Sequence, residues 1–123
     1  MFSQLVIAIF LGICAGIVTG LIPGIHINMI SVLVISSGGL LLSFDYVEPI
    51  MLAVFIISMS VVHSFLDTIP SIFLGAPDSE TALGVLPGHR YLLRGLGYMA
   101  VKLTIIGSFG ALLLSILLFP LLI

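Results

Sequence analysis

Residues 3–24 read SQLVIAIFLGICAGIVTGLIPG, an apolar run without a charge that stops at Pro23-Gly24. A helix needs about 20 predominantly apolar residues to cross the hydrocarbon of a bilayer, and residues 3–22 supply them. No basic residue precedes the run, it is too long for the apolar core of a signal peptide, and it has no obvious small-x-small cleavage site. It reads as a retained transmembrane helix. Gly12, Gly16 and Gly20 recur at every fourth position and so share one face. Small residues on one stripe let another helix backbone approach closely, so the stripe reads as helix packing before any contact with a solute.

Composition carries the same conclusion to the whole chain. Of 123 residues, 61% are hydrophobic and only 7% charged, with a mean hydropathy of +1.46. A soluble domain carries about a quarter charged residues to wet its surface. Three Lys+Arg and five Asp+Glu cannot do so here, so the solvent for most of this surface is lipid or other membrane-embedded helices. The formal charge of −2 and the lack of a basic patch exclude nucleic acid as a partner. The single cysteine, Cys14, allows no intrachain disulfide and reads as a small buried apolar residue.

Beyond the first run, residues 27–44 are apolar but interrupted by Ser36-Ser37-Gly38-Gly39, and end at the polar turn Asp45-Tyr46-Val47-Glu48-Pro49. This stretch makes a short span at best. Residues 49–66 form a convincing third run that opens on a helix-starting proline, carries His63 and runs into Asp67. The fourth, residues 98–123, holds Lys102 near its start and Pro120 near its end. The expected fold is all-α: a multi-spanning, multi-pass protein of the plasma membrane. It has about three to four transmembrane helices plus one discontinuous or re-entrant segment, with residues 1–123 as a single membrane domain.

That segment is residues 67–97. Its apolar pieces, residues 69–74 and 82–86, are each too short to cross a bilayer, and Pro70, Pro77, Pro87, Gly75, Gly84 and Gly88 punctuate them. Non-helical backbone at membrane depth is tolerated only when buried in protein or lining a wet cavity. Broken elements of this kind point to a transporter's binding site; an extramembrane loop with amphipathic turns is the other reading. Arg90, Arg94 and Lys102 cluster beside the fourth run and mark a cytoplasmic junction. Three full spans before that junction put the N-terminus outside, and a non-spanning second stretch reverses this. A short echo links Gly20-Leu21-Ile22-Pro23-Gly24 with Gly84-Val85-Leu86-Pro87-Gly88.

Ionisable groups within a membrane are functional candidates because their insertion costs several kcal/mol on most scales. His63 and Asp67 stand four apart and share a helix face. They suit a proton relay or a cation site, and equally a mutually satisfying pair. The densest polar cluster is Asp78, Ser79, Glu80 and Thr81, behind Pro77. It has the look of a helix N-terminus, with Asp78 or Ser79 as cap. Backbone N–H groups there suit an anion, whereas the Asp78 and Glu80 carboxylates suit a cation. The two are compatible when a cation screens an anionic solute, and plain capping accounts for Asp78 and Ser79 without any ligand. At the other break, the carbonyls around Pro23 and the Asn28 amide can coordinate a solute. Equally, His26 and Asn28 can bond the loosened backbone. His89 and Arg90 read as residues of the cytoplasmic interface rather than of a site. No metalloprotease, nucleophile-elbow, Walker or metal-spaced Cys/His motif occurs, so the chain is read as no enzyme and as carrying no metal or cofactor.

Two motif regions together, Gly12-x-x-x-Gly16-x-x-x-Gly20-x-x-Pro23-Gly24 and Pro70-Ser71-Ile72-Phe73-Leu74-Gly75-Ala76-Pro77 followed by Ser79-Glu80-Thr81-Ala82-Leu83, resemble the TctA-like permeases. These are the large membrane subunits of tripartite tricarboxylate transporters. The resemblance covers roughly residues 12–102. It implies a cation-coupled importer of carboxylates, working with a small membrane subunit and an extracytoplasmic binding protein. It also implies a chain several times longer, of which this is an N-terminal portion, completed by a complementary part or by other copies. Asp78 and Glu80 stand where bacterial members have small uncharged residues, and His26 and Asn28 look more like an archaeal branch. On this resemblance Pro23, Gly24, Asn28, Ser71, Ser79 and Thr81 are the candidate solute-binding residues. Asp67, Asp78 and Glu80 are the candidates for a coupling Na+ or H+, with the two breaks expected to meet near the membrane midplane. A membrane scaffold or accessory subunit, using the glycine stripe only to assemble a complex, is the alternative. A proton-handling enzyme using His63 and Asp67 lacks a motif.

Overall fold

Helix α1 spans Phe2–Leu21 in the computed structural model, which describes residues 1–75 and 82–121. Among the described residues every regular element is helical. Helix α1 stops because Ile22 is extended (φ −98°, ψ 109°), the conformation forced on a residue that precedes proline. Gly24 then takes φ +86°, which only a residue without Cβ adopts readily.

The chain re-enters helix at α2, Ile27–Ser36, with the His26 carbonyl accepting the N–H groups of Met29 and Ile30 at 3.0 and 3.4 Å. At about 1.5 Å per residue, these 10 residues reach about half the hydrocarbon thickness. After Ser37 only the single turn α3, Gly38–Leu41, follows. The apolar stretch 27–44 is therefore two short pieces. Ser36 and Ser37 donate back to the Val32 and Val34 carbonyls at 2.7 and 2.9 Å, which meets their hydroxyls' needs without a partner helix.

Helix α4, Pro49–Leu66, begins with its proline at the first turn, where no N–H is missed. Asp67 closes it, its N–H donating to the His63 carbonyl at 2.8 Å. The remaining helices are α5 (Thr68–Leu74), α6 (Ala82–Leu93) and α7 (Gly97–Leu118), followed by a 3-10 turn, Phe119–Leu121. Among the described residues, three helical stretches are long and apolar enough to cross a membrane: Phe2–Leu21, Pro49–Leu74 and Gly97–Leu121.

Packing divides the chain into two compact units, Met1–Asp67 and Thr68–Ile123. The first is built on α1 against α4. Buried Ala8, Gly12, Gly16, Thr19 and Gly20 make one face of α1, at the three-to-four spacing of a helical stripe. A Cβ added at Gly12 would lie 2.6 Å from the Phe55 carbonyl oxygen, and one at Gly16 would lie 2.6 Å from that of Met59. The helices thus touch backbone to backbone, and Met59 is fully buried between them. Cys14, expected to be buried, is exposed. Two residues beyond Gly12, it is turned about 200° away from the seam.

In the second unit α6 packs on α5 and α7. Ile72 of α5 and Val85 of α6 are buried, and a Cβ at Gly88 would lie 2.9 Å from Ile72 Cγ1. The expectation that Pro87-Gly88 interrupts the helix is corrected: both lie inside α6. Pro87 removes one donor, that of the Leu83 carbonyl, early in the helix and on its exposed side. Gly88 is needed for close approach rather than for a turn. The two Pro-Gly echoes therefore differ, since Gly24 has positive φ and ends a helix while Gly88 has neither property.

Candidate solute site

Few polar side chains are buried in this apolar chain. Among the described residues they are Thr19, His63, Asp67, Thr68 and Ser71. All but Thr19 fall between positions 63 and 71. In the first unit, His63 is 5% exposed, and its Nδ1 lies 3.0 Å from Thr19 Oγ1 on the facing helix. Thr19 Oγ1 is in turn 3.4 Å from the Gly16 carbonyl oxygen. Both contacts are satisfied when Nδ1–H donates to Thr19 and Thr19 donates onward to Gly16. The ring's bond therefore crosses the glycine seam. Thr19 was not singled out from the sequence, although it stands inside the Gly16–Gly20 stripe where a polar side chain must find a partner.

Asp67, 6% exposed, ends α4. Pro23, Gly24 and Asn28 are exposed at the break between α1 and α2, and a Cβ at Gly24 would meet nothing within 4 Å. The break is open backbone with a polar amide beside it. His26, also exposed, contributes the carbonyl that starts α2.

In the second unit, Ser71 is 5% exposed on α5 and Thr68 is buried beside the start of that helix. Asp78, Ser79, Glu80 and Thr81 lie outside the described residues. His89, read from the sequence as an interfacial residue, is half-buried, and its Nδ1 lies 2.8 Å from the Ile72 carbonyl oxygen. Its signal was faint because a histidine next to an arginine, three residues after the end of an apolar piece, looks like a membrane-surface pair. Among the described residues no three His, Cys, Asp or Glu side chains are grouped so as to hold a metal.

The family model of the Tripartite tricarboxylate transporter TctA family matches residues 6–123. The chain belongs to the TctA family. This TctA-family chain is also 43% identical over 112 residues to the uncharacterized protein MJ1079 of Methanocaldococcus jannaschii, an alignment covering 89% of the chain and 26% of that protein. It thus spans about a quarter of the length of this relative. No solved structure matches it. The family is one of transporter membrane components, and with three helical stretches among the described residues able to span a bilayer this TctA-family chain is a multi-pass plasma-membrane protein.

Proposed function

We propose that this TctA-family chain is part of a secondary permease that couples a cation to the movement of a carboxylate. The observation that carries the reading is the concentration of buried polar side chains at positions 63–71. His63 and Asp67 lie at the end of α4, and Thr68 and Ser71 lie within the short helix α5, in a chain otherwise suited to lipid. Buried polar groups beside interrupted helices are what a solute site near the bilayer midplane requires.

In this reading Ser71, Ser79 and Thr81 donate hydroxyl hydrogen bonds to the solute carboxylate. In the first unit, the open backbone at Pro23 and Gly24 and the amide of Asn28 are the groups proposed to bind solute. Asp67, Asp78 and Glu80 take the coupling Na+ or H+. The coupling has a direct electrostatic origin. Ionised carboxylates repel an anionic solute strongly where water is scarce, so the solute enters only once a cation or proton has neutralised them. Alternating access needs a second repeat to move against, supplied by a complementary permease part or another copy. A small membrane subunit and an extracytoplasmic binding protein complete the proposed assembly.

Replacing Asp78 by Asn together with Glu80 by Gln keeps size and hydrogen bonding while removing both charges. In vesicles containing the full permease, the double variant is expected to lower carboxylate uptake at least about tenfold and to flatten its response to the cation gradient, a loss of about 1.4 kcal/mol or more. Uptake with an unchanged gradient response would remove these residues from the coupling role.

A further inference from the structure

His89 stands on α6 and reaches onto α5 at two points. Its Nδ1 lies 2.8 Å from the Ile72 carbonyl oxygen; a carbonyl only accepts, so Nδ1 carries the proton and donates. The ring also covers Gly75, where a Cβ would meet Cε1, Nδ1 and Nε2 at 3.1, 3.2 and 3.2 Å. Three near-equal distances mean that the ring lies flat over the residue at which α5 ends, with φ +66°. One position earlier on α6, Gly88 admits the buried Ile72 side chain. Helix α5 is the last part of the helical stretch Pro49–Leu74, and the carbonyls of its final turn, that of Ile72 among them, have no partner within the helix. The placement of that final turn therefore depends on what grips it from outside.

We infer that His89 is a positioning residue for the solute site, acting through α5. Ser71 immediately precedes Ile72 on that helix, so a grip on the Ile72 carbonyl and on the Gly75 exit sets the rotation and depth at which the Ser71 hydroxyl is presented. The inference rests on the transport reading, because only there does the placement of Ser71 have a substrate consequence. The grip holds for both the neutral and the charged ring, since each carries a proton on Nδ1.

The test compares His89→Asn, His89→Gln and His89→Ala in the full permease reconstituted in lipid vesicles, reading the KM and Vmax of labelled carboxylate uptake. The amide nitrogen of Asn falls near the position of Nδ1, and that of Gln near Nε2. Asn is expected to keep KM within about twofold, whereas Gln and Ala raise it about tenfold, the size of effect that misplacing one binding group produces. If all three lower Vmax alike and leave KM unchanged, His89 only supports the fold and the positioning role is wrong. Nitrogen NMR of the ring, assigned through His89→Ala, gives an arm independent of transport. The account requires a ring that carries a proton on Nδ1, and a ring protonated only on Nε2 overturns it. Absence of uptake by the unaltered permease would sink the transport reading and the positioning role with it, while unchanged KM in a working carrier sinks the positioning role alone.

Discussion

Replacing Gly16 by leucine is expected to destroy the packing of α1 on α4, lowering stability by about 3 kcal/mol or more. Even the first added carbon would lie 2.6 Å from the Met59 carbonyl oxygen and 2.8 Å from Val62 Cβ. Overpacking a well-packed interior costs about 1–3 kcal/mol when side chains can move aside. Here the obstacle is backbone, so the helices must separate. Separation would also break the His63–Thr19 bond, which spans the same seam, and leave two polar side chains facing lipid. Gly107 is the matched control: it lies within α7 and a Cβ there meets nothing within 4 Å. Gly107→Ala is expected to be neutral or stabilising by up to about 1 kcal/mol, the intrinsic preference of a helix for alanine. Thermal unfolding of the two variants in detergent checks both. Equal melting of Gly16→Leu and the parent would mean that the seam is not packed as described.

Gly75→Ala is expected to combine two penalties. Alanine at φ +66° costs about 1–2 kcal/mol against glycine. Its methyl would also press on the His89 ring, with contacts from 3.1 Å, and loosen a hydrogen bond worth about 0.5–1.5 kcal/mol. The sum is about 1.5–3.5 kcal/mol. Gly24→Ala separates the two, because Gly24 has φ +86° but open space around it, and is expected to show the backbone term alone. Unfolding measured on both variants should place Gly75→Ala below Gly24→Ala. Equal losses would show that the ring does not rest on Gly75.

The sequence reading of the long helices was accurate because hydrophobic length dictates them. The run at 49–66 coincides with α4, and the first run differs from α1 by one residue at each end. The glycine stripe was read correctly as packing for the same kind of reason, since a four-residue repeat puts all three glycines on one face. Where the reading missed, a tertiary contact had decided. Gly88 looked like a helix breaker, yet its role is to admit Ile72. Cys14 looked buried because its neighbours are apolar, but in a membrane protein apolar neighbours say nothing about which face meets lipid. Thr19 was overlooked and His89 was read only as an interfacial residue because each finds its partner on a distant part of the chain, His63 and Ile72 respectively, and no local pattern announces such a bond. Ser71 was named from its motif, and the structure adds only that it is buried on α5.

The most direct measurement is uptake of a panel of labelled di- and tricarboxylates by vesicles containing the full permease, with a Na+ or H+ gradient imposed and then collapsed. The account predicts saturable uptake that one of these gradients drives and that unlabelled carboxylates compete away. Correctly folded permease that moves no carboxylate under either gradient would contradict it, and would leave the glycine seam and the buried polar residues with an assembly role alone.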